Sequence, residues 1–164
     1  MANAGDLPIT FADFSTGDTG NWTYVADGVM GGVSQGTAAH VDDAIRLRGN
    51  VSTENNGGFI QVRSRFEEAW PAEASELQLE VKGNGEPYYV FLRTRGLTRP
   101  WYSYRASFLA PDDWSIVALP LSEFVAARPE MPQSFTPDEV ISIGLVAYGR
   151  DHAADLSLRR VEVH

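Results

Sequence analysis

What most constrains this chain is the period of its hydrophobicity: apolar and polar residues alternate every second position, in short runs broken by Gly, Pro, Asn and Asp. Ile45, Leu47, Gly49 and Val51 alternate with Arg46, Arg48 and Asn50. Leu77, Leu79 and Val81 alternate with Glu76, Gln78, Glu80 and Lys82, and Ile60 and Val62 with Gln61 and Arg63. Successive side chains of a strand point to opposite faces, so each run has one face for a core and one for solvent or a ligand. Further strands are expected at Tyr88–Thr94, Trp101–Leu109, Trp114–Leu119, Val140–Ala147 and Leu156–Val163. Asn55-Asn56-Gly57-Gly58, Gly83-Asn84-Gly85 and Pro111-Asp112-Asp113 supply turns between them. Helical periodicity is nearly missing. Its best run is Leu121–Ala127 after Pro120, where Leu121, Phe124 and Val125 would share a face over about two turns. Many short strands at this spacing make an all-β sandwich or barrel. With no repeat, low-complexity tract or linker, residues 1–164 are expected to form one domain.

Composition removes several classes of function. Hydrophobic residues at 43% and charged residues at 21% are globular proportions that exclude a disordered chain. No apolar run reaches the roughly 20 residues of a membrane span. Residues 1–8 carry neither a basic nor an apolar signal region, so no secretory signal is expected. Without cysteine there is no disulfide, thiolate nucleophile or Cys-based zinc site, which suits a reducing compartment and a cytoplasmic setting. A net charge of -9 opposes a nucleic-acid backbone and an anionic membrane surface.

Three segments go beyond strand periodicity. The first is Trp22 followed by Asp27-Gly28-Val29-Met30-Gly31-Gly32-Val33-Ser34. The second is Gly49-Asn50-Val51-Ser52 leading into Asn55-Asn56-Gly57-Gly58-Phe59, with Arg63 beyond. The third runs through Tyr102, Phe108, Trp114, Leu119-Pro120-Leu121, Phe124 and Ile143-Gly144-Leu145. In this order and spacing the chain resembles the complex I intermediate-associated protein 30 family, from about Phe11 to Val163. The resemblance implies an antiparallel two-sheet jelly-roll sandwich of the galactose-binding-domain-like kind. It implies a non-catalytic protein that helps assemble respiratory complex I through protein–protein contacts. The chain looks like a bacterial-type member of that family.

The residues also have readings of their own. Gly28, Gly31 and Gly32 permit positive φ and close backbone approach, and the side chains of Asp27 and Ser34 can bond the loop's own amides. The plain outcome is a structural loop; the alternative is a nest of amides that holds an anion. Asn55, Asn56, Gly57 and Gly58 are costly to order alone, so the two loops are expected to brace each other. Gly32-Val33-Ser34-Gln35-Gly36 matches the G-x-S-x-G nucleophile elbow, but that motif needs a strand–turn–helix setting and strand-like sequence follows here. Asp151 and His152 would have to be its partners. No catalytic residue is expected. His40, His152 and His164 show no metal-ligand spacing. Asp13, Asp18 and Asp155 are the acids to inspect for calcium, with solvated carboxylates the better expectation, so neither a metal nor another cofactor is expected.

The middle strands carry the binding expectation. If Ile60, Val62, Val90 and Leu92 face the core, the other face carries Phe59, Gln61, Arg63, Tyr89, Phe91 and Arg93. If Tyr102, Tyr104 and Phe108 also face inward, Trp101, Ser103 and Arg105 join that outer face. Rings between guanidiniums suit a protein anchor, a carbohydrate or a small anionic ligand. Arg63, Tyr89, Arg93, Trp101 and Arg105 are therefore the candidate ligand- or partner-binding residues. The competing outcome is pairing with internal acids such as Glu80.

Overall fold

The computed structural model describes residues 7–17, 21–56, 58–66 and 68–164, without the side chains of Val29, Met30 and Asn56. The strands are β1 (Ile9–Asp13), β2 (Trp22–Ala26), β3 (Gln35–Val41), β4 (Ala44–Val51), β5 (Phe59–Arg65) and β6 (Glu76–Lys82). They continue as β7 (Pro87–Thr94), β8 (Tyr104–Leu109), β9 (Ser115–Pro120), β10 (Val125–Ala126), β11 (Val140–Tyr148) and β12 (His152–Val163). Every pairing is antiparallel. One 6-stranded sheet runs β3-β4-β12-β6-β9 with β1 also on β12, and the other 6-stranded sheet runs β10-β8-β7-β11-β5-β2. The chain is a two-sheet jelly roll. Among the described residues, no helix is long and apolar enough to cross a membrane.

The alternation fixes which face of each strand is buried. Ile45, Leu47, Leu77, Leu79, Val81, Leu156 and Leu158 from the first sheet meet Ile60, Val62, Tyr88, Val90, Leu92, Ile143 and Leu145 from the second. Each is at most 3% exposed, and burial of a side chain of this size contributes about 1.5–3 kcal/mol. Tyr88 spans the layers with its hydroxyl satisfied: it donates to Asn84 Oδ1 at 2.5 Å and accepts from Asp155 N–H at 2.9 Å.

Two local expectations fail. Leu121–Ala127 forms no two-turn helix. A single 3-10 turn at Leu121–Glu123 is followed by β10, which pairs with β8. Leu121 and Phe124 are buried, but Val125 is 66% exposed on the far side. So short an apolar pattern fits a turn and an edge strand as well as a helix, and pairing with β8 decides it. The strand expected from Trp101 begins at Tyr104 instead. The guanidinium of Arg93 donates to the carbonyls of Arg99, Pro100 and Tyr102 at 3.0, 2.9 and 2.6 Å, which holds that segment as a loop.

Candidate binding face

The registers of the second sheet line up its outward side chains in rows. Val125, Arg105, Phe91, Gly144, Arg63 and Thr23 stand side by side on β10, β8, β7, β11, β5 and β2. The next row holds Ser107, Tyr89, Val146, Gln61 and Val25. On the other side, Ser142 lies between Arg93 and Arg65. Arg63, Arg93 and Arg105 thus share one face, opposite the core residues of their own strands. Each arginine follows or precedes a buried aliphatic or aromatic residue, so strand parity alone puts it there.

The aromatic residues form one cluster on this face. Tyr89 and Tyr148 meet edge-on at 4.5 Å between ring centroids, and Phe91 meets Tyr148 at 5.2 Å. Arg105 lies over Phe91 at 4.1 Å and over Tyr148 at 5.3 Å, while its Nε donates to Ser103 Oγ at 2.9 Å. Stacking of this kind holds a guanidinium flat and leaves its outer edge for an acceptor.

The arginines differ in what they are free to do. Arg63 and Arg65 are exposed. Arg93 is spent on the three carbonyls, so it shapes the loop. Burial, followed by repulsion from Arg63 and Arg65, lowers the pKa of its guanidinium. Among the described residues, none of Arg63, Arg65, Arg93 and Arg105 forms an ion pair. Glu80, the acid considered as an internal partner, instead pairs with Arg159 on the other sheet, at 2.9 Å.

Trp101 and Ser103 depart from the parity expectation. Trp101 sits in the β7–β8 loop, 50% exposed, with Arg99 5.9 Å from its ring. Ser103 is 4% exposed, buried where the loop turns inward to enter β8. Arg65 and Tyr148 belong to the face and were missed. Arg65 continues the parity of Arg63 beyond the aliphatic run, and Tyr148 lies one residue past the expected strand end.

The glycine-rich loops meet beneath the β5 end of this sheet. Asp27 is fully buried in a 3-10 turn at Asp27–Met30. Its Oδ2 accepts from Ser34 Oγ and Gly58 N–H, each at 2.5 Å, and from Phe59 N–H at 3.2 Å. Its Oδ1 accepts from Ser34 N–H at 3.0 Å. Burial pushes the carboxyl up, but these donors together hold it below the usual Asp range. The loop amides therefore cradle an anion, and that anion is the chain's own aspartate. Of the glycines expected at positive φ, Gly31 takes it at 86°, whereas Gly28 and Gly32 do not. Gly32 is needed for space, since a Cβ there would stand 2.5 Å from Asp27 Cγ. Asn55 adopts φ 57° and Gly58 φ 128°; Gly57 and the side chain of Asn56 lie outside the described residues.

Ser34 has no nucleophile geometry. Its Oγ donates to Asp27, accepts from Ser52 N–H at 2.8 Å, and precedes β3 instead of a helix. Asp151 accepts from Thr53 N–H at 2.7 Å, and His152 Nδ1 contacts Arg150 O at 2.9 Å. Asp155 is held by Arg46 at 2.7 Å and Asp13 by Ser15 at 2.5 Å; Asp18 lies outside the described residues. Among the described residues, no group of His, Cys, Asp or Glu could hold a metal ion.

The second sheet of this jelly roll thus has a cationic, ring-bearing outer face. Solved structures share that fold. The family 11 carbohydrate-binding module from Clostridium thermocellum, in complex with a β-1,3-1,4-mixed-linked tetrasaccharide, is similar with a TM-score of 0.77 at 12% identity. That match covers 95% of this chain and 94% of the module. A family 30 carbohydrate-binding module matches with a TM-score of 0.60 at 14% identity, over 97% of this chain and 99% of that one. An exo-β-agarase matches with a TM-score of 0.61 at 10% identity, over 94% of this chain and 25% of the enzyme. No curated protein matches by sequence. The sequence profile of complex I intermediate-associated protein 30 (CIA30) matches residues 10–159, and the chain belongs to that family.

Proposed function

We propose that this is a non-catalytic binding protein that holds a protein partner on the outer face of the β10-β8-β7-β11-β5-β2 sheet, as a respiratory complex I assembly factor would. One observation carries the reading: Arg63, Arg65 and Arg105 stand on that face and, among the described residues, form no ion pair, in a chain with 22 acidic and 13 basic residues. Guanidiniums left open in this way gain charge-assisted hydrogen bonds when an acidic partner docks. Arginines and aromatic rings are also the side chains that dominate protein interfaces. Leu109 and Val125, 65% and 66% exposed on the same side, extend it with apolar contact. Membership of a family named for complex I intermediates supports a protein as the partner. A chain without cysteine suits a reducing compartment, which supports a cytoplasmic setting.

A carbohydrate ligand is the second reading, supported by the fold shared with a module solved on a tetrasaccharide. The ring geometry favours it less. A sugar ring stacks on an open aromatic face, whereas here Arg105 covers Phe91 and Tyr148, and Tyr89 meets Tyr148 edge-on.

The test is purification of the tagged protein from its native host with complex I subunits quantified. Enrichment with the wild type, lost in Arg63→Glu/Arg105→Glu, is expected. Absence of complex I subunits from the wild-type eluate would contradict the reading. Saturable binding of the mixed-linked tetrasaccharide would favour the second.

A further inference from the structure

The outer face of the first sheet, away from the proposed partner face, carries a recess. Arg46, Ser157 and Lys82 stand in register on β4, β12 and β6, on the opposite side from buried Ile45, Leu158 and Val81. Ser157 is the short side chain of that row, set between two long ones. A cavity of about 200 Å³ opens there, lined by Asp42, Arg46, Lys82, Trp114, Asp155 and Ser157 among others. Pockets that enclose a drug-sized ligand run to roughly 300–1,000 Å³, so this one suits a single small ring and no large cofactor.

The lining is polar and its charges cancel: Arg46 and Lys82 stand against Asp42 and Asp155. Arg46 gives Nε and Nη2 to Asp155 at 2.9 and 2.7 Å, which leaves Nη1 and further lone pairs on the carboxylate. Those hydrogen bonds, aided by the charges of Arg48 and Lys82, hold Asp155 below the usual Asp range despite its burial, so it remains an acceptor. Among the described residues, Lys82 forms no ion pair, and Ser157 Oγ and Trp114 Nε1 make no hydrogen bond. Trp114 supplies apolar surface. Arg159 covers one face of its ring at 4.2 Å and takes no part in the lining, so the rest of the indole borders the recess.

We infer that this recess is a second binding site and takes one ring of a neutral sugar. A hydroxyl both donates and accepts, so neighbouring hydroxyls are satisfied where carboxylates and cations stand side by side. An anion would gain from Lys82 and lose against Asp42 and Asp155, and a cation meets the reverse. The C–H surface of a sugar ring also needs something apolar to cover, and the half-buried indole of Trp114 is there to meet it. The partner face lacks this mixture: its arginines form no ion pair among the described residues, and Arg105 lies over Phe91 and Tyr148. The site is independent of the proposed partner site, because the two lie on different sheets.

The experiment is an NMR titration of the intact protein with glucose, galactose, mannose and xylose, followed at the indole N–H of Trp114. Glucuronate, glucosamine and sorbitol serve as the anion, the cation and the open-chain polyol. At least one neutral sugar should saturate with a Kd on the order of 1–10 mM, more tightly than each control. Lys82→Met/Ser157→Ala should weaken it about tenfold with the melting temperature unchanged, and should retain complex I subunits as the wild type does. A Trp114 signal that none of the neutral sugars moves overturns the inference, as does tighter binding of any control. Sugar binding that survives Lys82→Met/Ser157→Ala overturns it too, and its loss in Arg63→Glu/Arg105→Glu would put the sugar on the partner face instead. Retention of complex I subunits is read separately, so the sugar site can fall while the partner face stands, and the reverse.

Discussion

The two sheets present the same residue type on their outer faces and use it differently: on the first, Arg46, Arg159 and Arg160 are ion-paired, and Arg48 alone of its four arginines forms no ion pair among the described residues. On the β3-β4-β12-β6-β9 sheet, Arg46 grips Asp155 through two nitrogens at 2.9 and 2.7 Å, and Arg159 grips Glu80 through two at 2.9 Å. Arg159 also lies 4.2 Å over the Trp114 ring, and Arg160 pairs with Glu162. On the other sheet, Arg63 and Arg65 are exposed and Arg105 half-buried, and among the described residues none of the three forms an ion pair. Acidic residues outnumber basic ones 22 to 13, so the bare face does not reflect a shortage of carboxylates. The difference lies in what surrounds each arginine. Paired guanidiniums stiffen a sheet, whereas open ones are left for something outside the chain.

Asp27 accepts four hydrogen bonds while fully buried and should give the largest effect. Asp27→Ala strands buried donors from Ser34, Gly58 and Phe59, at about 1–3 kcal/mol each, so it should destabilise by about 3 kcal/mol or more. That lowers the melting temperature by roughly 6–12 °C, with partner binding lost only in proportion to unfolding. A melting temperature within a degree or so of wild type would show the cradle to be dispensable.

Acid should expose the paired charges next. Hydrogen bonds from Arg46 hold Asp155 below the usual range, those from Arg159 do the same for Glu80, and Asp27 is lowered by its donors. Groups with depressed folded values contribute stability that is complete above their unfolded values, near pH 4, and lost as pH falls through the lower folded ones. Urea midpoints should therefore decline below about pH 4, and Asp27→Ala should flatten that decline. A midpoint that rises on acidification would reverse the sign.

Smaller effects separate the two faces. Glu80→Gln removes a pair only 30% and 27% exposed and should cost about 0.5–1 kcal/mol, with binding unchanged. Arg63→Gln, which removes repulsion and no partner, should stay within about 0.5 kcal/mol of wild type by urea denaturation. If Arg63→Gln cost more than Glu80→Gln, the contrast between paired and unpaired faces would collapse.

Much of this was legible from alternation alone. β5, β6 and β7 follow the period, because each has one fully buried face, and β4 departs from it on that face only at half-buried Gly49. β3 is harder to read: Gly36, Thr37, Ala38 and Ala39 offer little contrast at a sheet edge. The alternation of Trp101 and Ser103 with Tyr102 and Tyr104 misleads, because Arg93 claims the carbonyls of that segment for a loop. Parity placed Arg63 and Arg105 on one face. It could not say which arginines are paired, because that depends on strand order. β12 lies between β4 and β6 and brings Asp155 to Arg46 and Arg159 to Glu80 across 109 and 79 residues of sequence.

The central claim is that the unpaired face holds the partner protein and the paired face does not. It is tested most directly by complex I subunits retained per mole of folded protein, measured for Arg63→Glu/Arg105→Glu beside Glu80→Gln/Asp155→Asn. The first variant should lose retention, with a small drop in melting temperature from the lost Arg105–Ser103 hydrogen bond and ring contacts; the second should melt lower and retain as wild type. Retention lost with the second variant and kept with the first would contradict the account.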